Sequence, residues 1–600
     1  MPPLEPNSPP RRTSGPLSFP GQFLGALTEA LGVLRSATRG AGLTLGPAHP
    51  LPPLLPPAGK TTLLDVLAGR KTYGHISGEI TLNGSAAPRS ACAYVEQFDS
   101  LWSLATVEES VAFVARLRVE SPRVATRRVL DMLELGGISH DLVFSLPMES
   151  RKRVSIALEL VVDPQVLFLD EPTSSLDSKS AAVVAGAMRL VADAGKAVIC
   201  TIHQPSTHVF ATFDRLLLLQ KGGRVAYFGP SGRGALASFF ESAGGPALPS
   251  DRNPSAWALD ALGAEPKGSA TWDEAYSKSP LRKENERILR DLCAKVTPSG
   301  EPAGGKGWGG RHGGVVSPLR RALEVSKRGS MAHWRNPQYI LTKMASMTLV
   351  SLIYGVTYVG QGQLPGTGAT TANIQNVVGL LYSSSLFTGV LNCNLVLPVL
   401  MDEREVFYRE VKSLYRTLDY GFAALQRELP YLAAQAMVFV TIVYWMTGFA
   451  PDSAEKYLLF SLTVFLVMTT FTAFGQLLAV LTPSRPIAQV TFSFVIIFWN
   501  AFCGFAIPVT SMPPWVAWIY WICPTTWSLY SLAASQLGDS EVPITLAGGA
   551  ATVPARVYLE DRYGYRYDFR WNAVAALFGF NLLFALLFLL TLRFVNWQTR

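Results

Sequence analysis

The sequence predicts an α/β domain of the phosphate-loop NTPase type, followed by an all-α domain whose helices cross a membrane. Three observations carry that expectation. Val166-Leu-Phe-Leu-Asp170-Glu171 is an apolar run too short for a span, and it ends in two adjacent carboxylates. Gly59-Lys60-Thr61-Thr62 opens a helical pattern, as the second half of a phosphate-binding loop does. The C-terminal half holds six apolar segments, roughly 340–360, 374–398, 430–449, 457–481, 487–508 and 572–595. Each reaches the length of about twenty residues that a bilayer requires.

Gly59 lets the backbone approach an oxyanion, and Lys60 reaches the β- and γ-phosphates of a nucleotide. The Thr61 hydroxyl is a candidate magnesium ligand. Gly59, Lys60, Thr61 and Thr62 together form the candidate phosphate cradle. Asp170 is expected to hold magnesium, directly or through water, because that hard cation prefers oxygen. Glu171, one pleat further along the strand and so on the opposite face, is the candidate catalytic residue that orients or deprotonates a water aimed at the γ-phosphate. Ala197-Val-Ile-Cys-Thr-Ile202 is a second β-like run, and it ends in His203, a candidate γ-phosphate contact. A single histidine at a strand end is as often an ordinary surface residue. An acidic pair at a strand end is equally common by itself, and its neighbours give it weight.

Composition agrees with a chain that is part globular and part embedded. It is 49% hydrophobic, 11% aromatic and only 16% charged. The net charge of +8 does not point to nucleic acid, because the basic residues lie beside apolar runs, where topology accounts for them. Cys92, Cys200, Cys293, Cys393, Cys503 and Cys523 show no paired metal spacing. Cys503 and Cys523 fall near one membrane surface, where a disulfide is conceivable and free thiols fit better. The start of the chain shows no cleaved signal-peptide pattern.

Residues 1–57 are low-complexity, with 21–35 a candidate amphipathic helix. Residues 58–298 carry the alternating strand and helix grammar of a parallel sheet. Residues 299–336 form a glycine-rich linker and then a helix with Arg320, Arg321, Lys327, Arg328 and Arg335, expected to lie along the cytoplasmic leaflet. Residues 337–600 form the membrane domain. Its basic connections (Arg404, Arg409, Lys412, Arg416 and Arg427, then Arg485) predict that both termini are cytoplasmic. Residues 509–571 then form one large outer loop, and its aromatic run Trp515–Trp521 reads as an interfacial or re-entrant helix. Asn373, Asn376, Asn392 and Asn500 either line a path or bond helix to helix.

These pieces, in this order, resemble ATP-binding-cassette (ABC) transporters. Tyr94-Val-Glu-Gln97 is similar to the loop whose glutamine touches magnesium. Arg151-Lys-Arg-Val-Ser-Ile-Ala is similar to the helix after the family signature, Ser174-Ser-Leu-Asp177 to the loop that communicates across a dimer, and His203 to the switch histidine. Leu67-Ala-Gly-Arg-Lys71, Thr201-Ile-His-Gln-Pro-Ser206 and Asn253-Pro-Ser-Ala-Trp257 resemble the G-type, pleiotropic-drug-resistance branch. The resemblance implies ATP and Mg2+ as cofactors, with Thr61, Gln97 and Asp170 around the metal and Glu171 and His203 at the reacting phosphate. It further implies a second half-transporter as partner, a small amphipathic substrate (a lipid or xenobiotic) moved through the lipid bilayer, and the plasma membrane as location. Met401-Asp-Glu-Arg404-Glu resembles the charged connection that couples the two domains.

The chain departs from that pattern twice. Leu54, Pro56 and Pro57 stand where the loop wants glycine and small residues, and proline has no N–H to offer a phosphate. The strand leading into the loop is expected to be missing. A natural pseudo-site and a mistaken stretch of the gene product both explain this. Leu146-Pro-Met-Glu-Ser150 replaces the signature, so that Pro147 and Met148 stand where a serine and a glycine should contact the opposite γ-phosphate. Two functions therefore compete: an ATP-driven exporter, and a pseudo-ATPase that regulates or scaffolds a membrane complex.

Overall fold

The computed structural model describes residues 41–44, 59–71, 74–78, 80–82, 85–86, 91–264, 266, 271–294, 316–366, 368–411, 413–449, 453–546 and 552–597. The chain divides into two compact units, Met1–Val315 and Val316–Arg600. The candidate helix at 21–35, the loop positions Leu54, Pro56 and Pro57, and the linker around 300–314 lie outside the described residues.

The first unit is built on a six-stranded sheet. In chain order its strands are β1 (Ala41–Thr44), β2 (Cys92–Val95), β3 (Val166–Leu169), β4 (Ala197–Ile202), β5 (Arg215–Leu219) and β6 (Val225–Pro230), and they are arranged β2-β3-β4-β1-β5-β6. The first five run parallel, and β6 returns antiparallel at the edge. Every residue of β3 is buried, as an unbroken Val-Leu-Phe-Leu run requires when both sheet faces are covered. β1 lies between β4 and β5, with Ala41 opposite Ile199 and Gly42 opposite Leu216. This corrects one expectation: a strand does precede the phosphate loop, in the middle of the sheet. Ala-Gly-Leu-Thr carries no β signal by itself, and its place comes from two neighbours that supply a complete ladder of partners.

Helix α1 (Lys60–Leu67) starts at the carboxyl end of this sheet, where open α/β folds bind ligands. Helix α2 (Met148–Leu160) packs against β2, and α3 (Ser178–Asp193) follows β3.

The second unit is helical. In order it contains α4 (Pro318–Trp334), α5 (Pro337–Thr357), α6 (Thr371–Glu410), α7 (Thr417–Thr447), α8 (Ala454–Leu481), α9 (Arg485–Phe502), α10 (Pro514–Ile522), α11 (Pro524–Leu537) and α12 (Arg570–Phe594). Five helices among the described residues are long and apolar enough to cross a membrane: α5, α6, α7, α8 and the one ending at Phe594. The sixth expected segment is α9, 18 residues long and opening on Arg485-Pro486. α8 is the axis of the bundle, with 89% of its apolar window buried, against 22% for the peripheral α5.

Small residues let α6 and α8 touch. A Cβ on Gly389 would lie 2.5 Å from the Phe471 ring, and one on Gly475 would lie 2.8 Å from Val396. Hydroxyl pairs add cross-links, Ser385 to Ser528 at 2.5 Å and Thr463 to Ser531 at 2.9 Å. Asn373 accepts from the Thr370 N–H and caps α6, and Asn392 donates to Thr388 O within the same helix. The aromatic segment is the nine-residue α10, too short to span, with Trp515, Trp518 and Trp521 exposed. Cys503 and Cys523 are buried free thiols.

The basic residues of α4 divide between two faces. Arg321 and Arg328 turn inward, to Asp419 at 2.5 Å and to both oxygens of Glu410 at 3.0 and 2.6 Å. The cause is periodicity: positions 321, 325, 328 and 332 share one helix face, and that face is packed on α7. Arg320 and Lys327 remain outside, with Leu319, Leu323 and Trp334.

Beside it, Lys343 Nζ meets Glu428 Oε2 at 2.8 Å, both side chains 1% exposed. Breaking such a pair leaves a buried charge and costs about 3–5 kcal/mol. Lys343→Met is therefore expected to lower the thermal midpoint of the purified protein sharply. Adding Glu428→Gln to that variant should recover most of the loss.

Candidate functional site

Gly59 ends the loop in a left-handed conformation, φ +85°, with open space where a Cβ would sit. Conformation alone requires glycine there. The first intrahelical bond of α1 runs from the Leu63 N–H to the Gly59 carbonyl, so the N–H groups of Lys60, Thr61 and Thr62 precede the helical ladder. No side chain caps this end. It is an oriented donor set with the positive end of the helix dipole behind it.

The carboxylates come to this point from β3. Asp170 is buried, and its Oδ1 accepts from Thr61 Oγ1 at 3.2 Å and from Thr201 Oγ1 at 2.8 Å. Tyr94 OH approaches Oδ2 at 3.5 Å. Burial first, then the nearby charges of Asp170 and Asp65, push the Tyr94 phenol well above its ordinary pKa, so it remains a donor.

The alternation of pleats predicts Glu171 on the opposite face of a continuing strand, and the structure departs from this. β3 ends at Leu169, and Glu171 adopts φ +46°. Its N–H is held by Thr201 Oγ1 at 2.8 Å. Its carbonyl accepts from the Ser174 hydroxyl at 2.8 Å and the Ser174 N–H at 3.1 Å. These bonds offset a backbone strain of about 1–3 kcal/mol. The turned side chain reaches Lys60 Nζ at 3.4 Å and Gln97 Nε2 at 3.0 Å.

The structure thus brings Lys60, Thr61, Gln97, Asp170 and Glu171 into one hydrogen-bonded group at the start of α1. Thr62 sits half-buried in the same turn. His203 does not join the group by a hydrogen bond. It is exposed on the wall of a cleft of about 410 Å³, lined also by Glu171, Ser174, Leu176 and Pro205. Two further left-handed residues line this cleft, Ser175 at φ +65° and Gln204 at φ +45°. Leu146–Ser150 forms the start of α2. Pro147 is its N-cap residue and offers no side-chain bond, Met148 is 57% exposed, and the Ser150 hydroxyl turns inward to Arg153 at 3.2 Å.

Sequence reasoning missed Thr201. Inside a β-like run its hydroxyl reads as ordinary β-branched filling, whereas it is the shared partner of Asp170 and Glu171.

These donors fit a magnesium–nucleotide tail. Among the described residues no cluster of three or more His, Cys, Asp or Glu could hold a metal alone. One carboxylate (Asp170), one hydroxyl (Thr61) and one amide oxygen (Gln97) beside a lysine match a hard cation that completes its shell with phosphate and water. Bound there, the cation would screen the phosphate charge.

Comparison with known proteins gives four matching family models. Residues 56–174 match a model described as ABC transporter, and 322–537 one described as ABC-2 type transporter. Residues 203–290 match a second ABC-2 type transporter model, and 545–600 one described as CDR ABC transporter. Similar curated proteins include ABC transporter G family member 36 of Arabidopsis thaliana, 36% identical over 575 residues. Member 53 of Oryza sativa subsp. japonica is 36% identical over 564 residues. Each alignment covers 90% of this chain and 38% of the relative, so the chain spans well under half the length of the relatives it matches.

Thr201→Val keeps the volume and removes the shared hydroxyl. A loss of about 1–3 kcal/mol is expected, read as a lower thermal midpoint, with Thr201→Ser close to the parent.

Proposed function

We propose a function for this chain from the premise that it belongs to the ABC transporters, on the G-type, pleiotropic-drug-resistance branch. It is an ATP-hydrolysing half of a dimeric transporter that exports amphipathic molecules, lipids or xenobiotics, across a membrane. The observation that carries this reading is the meeting of Lys60, Thr61, Asp170 and Glu171 at the start of α1. The apolar helices of the second unit supply the membrane part.

In this reading Lys60 and the first N–H groups of α1, with Thr62 beside them, bind the phosphates. Thr61, Gln97 and Asp170 would hold magnesium, which when bound would offset negative charge on the γ-phosphate. Glu171 orients the attacking water and holds its proton. His203, on the wall of the cleft, contacts the γ-phosphate. ATP closes two nucleotide domains around itself and hydrolysis reopens them, a two-state element biased by differential binding. Met401–Glu405 passes that change to the spans. Both termini are cytoplasmic, and the plasma membrane is the location. The resting contacts of Lys60 and Gln97 with Glu171 must open to admit a γ-phosphate.

The second reading, a regulatory pseudo-ATPase, draws on α2. Its uncapped start and the exposed Met148 are a poor surface for a phosphate. The two readings separate by experiment. In protein assembled with its partner half, Glu171→Gln and Lys60→Met should each lower ATP turnover by about a hundredfold or more, in line with the loss of a catalytic group, with folding intact. Turnover unchanged by both would leave only the regulatory role. Pro147→Ser with Met148→Gly should raise turnover where the altered signature limits the assembly.

A further inference from the structure

The loop that carries Gln97 is gripped by two cations, one just past α1 and one within α2, and the reaction described above uses neither. Arg70, just beyond α1, donates to Glu96 Oε1 at 2.6 Å and lies 4.2 Å from the centre of the Tyr94 ring. Lys152, in the second turn of α2, is 4% exposed. Its ammonium meets three acceptors: Gln97 O at 2.9 Å, Glu96 O at 3.3 Å and Asp99 Oδ1 at 2.8 Å. Ser155, one turn further along α2, fixes the same Asp99 carboxylate at 2.7 Å.

Three donors against three acceptors leave the ammonium no alternative arrangement. The two carbonyls belong to the peptide planes on either side of the Gln97 Cα. Holding both planes fixes the direction in which the Gln97 side chain leaves the backbone. That side chain is exposed, and among the described residues its hydrogen bond runs to Glu171, so its aim depends on its base.

We propose that Lys152 is a positioning residue that sets Gln97 for the metal of the bound nucleotide. It does so from the helix whose first turn, Pro147-Met148, carries the altered signature. This rests on the proposed role of Gln97 as a magnesium ligand. It adds a route by which movement of α2, on the side of one nucleotide, changes metal affinity at the other.

The test is affinity for a non-hydrolysable ATP analogue, measured by calorimetry on the purified full chain, with magnesium and then with EDTA. Lys152→Met should weaken binding about tenfold with magnesium, the scale of losing a group that orients a metal ligand, and leave binding in EDTA unchanged. In a Gln97→Ala background the same substitution should do nothing more. Equal weakening with and without magnesium, or a full additional loss in the Gln97→Ala background, overturns the proposal and makes Lys152 a structural residue only. If Lys152→Met does not fold, Asp99→Asn, which removes the charged partner of Lys152, should give the same magnesium-specific loss, and a magnesium-independent loss there overturns the proposal equally. If Gln97→Ala itself leaves magnesium-dependent affinity intact, the role assigned to Gln97 falls, and this inference falls with it.

Discussion

The Thr201 hydroxyl is the contact on which the site depends. It donates to Asp170 at 2.8 Å and accepts the Glu171 N–H at 2.8 Å, so one oxygen holds two adjacent acidic residues in two different conformations. Asp170 stays buried, facing Thr61 in the first turn of α1. Glu171 is turned into a left-handed backbone and swings toward Lys60. Adjacent acids on a continuing strand would point to opposite faces. Here the chain leaves the strand at the one residue where both must serve the same small space.

The membrane unit obeys the same economy of satisfied charge. Lys343 and Glu428 are paired and bonded to Tyr339, and Arg328 meets Glu410 through two parallel bonds. Buried charges in such a setting persist only with partners. The apolar remainder packs by shape, as at Gly389 against Phe471, because lipid-facing helices gain little from hydrophobicity alone. The tryptophans exposed on α10 suit a bilayer surface, where a ring with one polar edge is at home.

Much of this was legible in the residues. Lys60, Thr61, Asp170 and Glu171 declare themselves through spacing, because phosphate loops and acidic strand ends are local patterns with local causes. The apolar spans follow from length. The direction of Arg321 and Arg328 was not legible, since their carboxylates lie 98 and 82 positions away and only packing brings them close. Neither was β1, whose four residues take their conformation from the flanking strands rather than from their own preference. Glu171 misled for a related reason: a left-handed glutamate is intrinsically unfavourable, and its stabiliser, Thr201, is supplied by another strand. The altered signature was legible as chemistry, while the inward turn of Ser150 was not, because it follows from the burial of that face of α2.

Lys60, Asp170 and Glu171 are proposed to receive the tail of a magnesium-bound nucleoside triphosphate. A structure determined with a saturating magnesium-bound ATP analogue tests it most directly. Lys60 Nζ is expected to leave Glu171 for a phosphate oxygen, with the metal beside Thr61 and Asp170. Nucleotide bound elsewhere, with the 3.4 Å contact between Lys60 and Glu171 still in place, would contradict it.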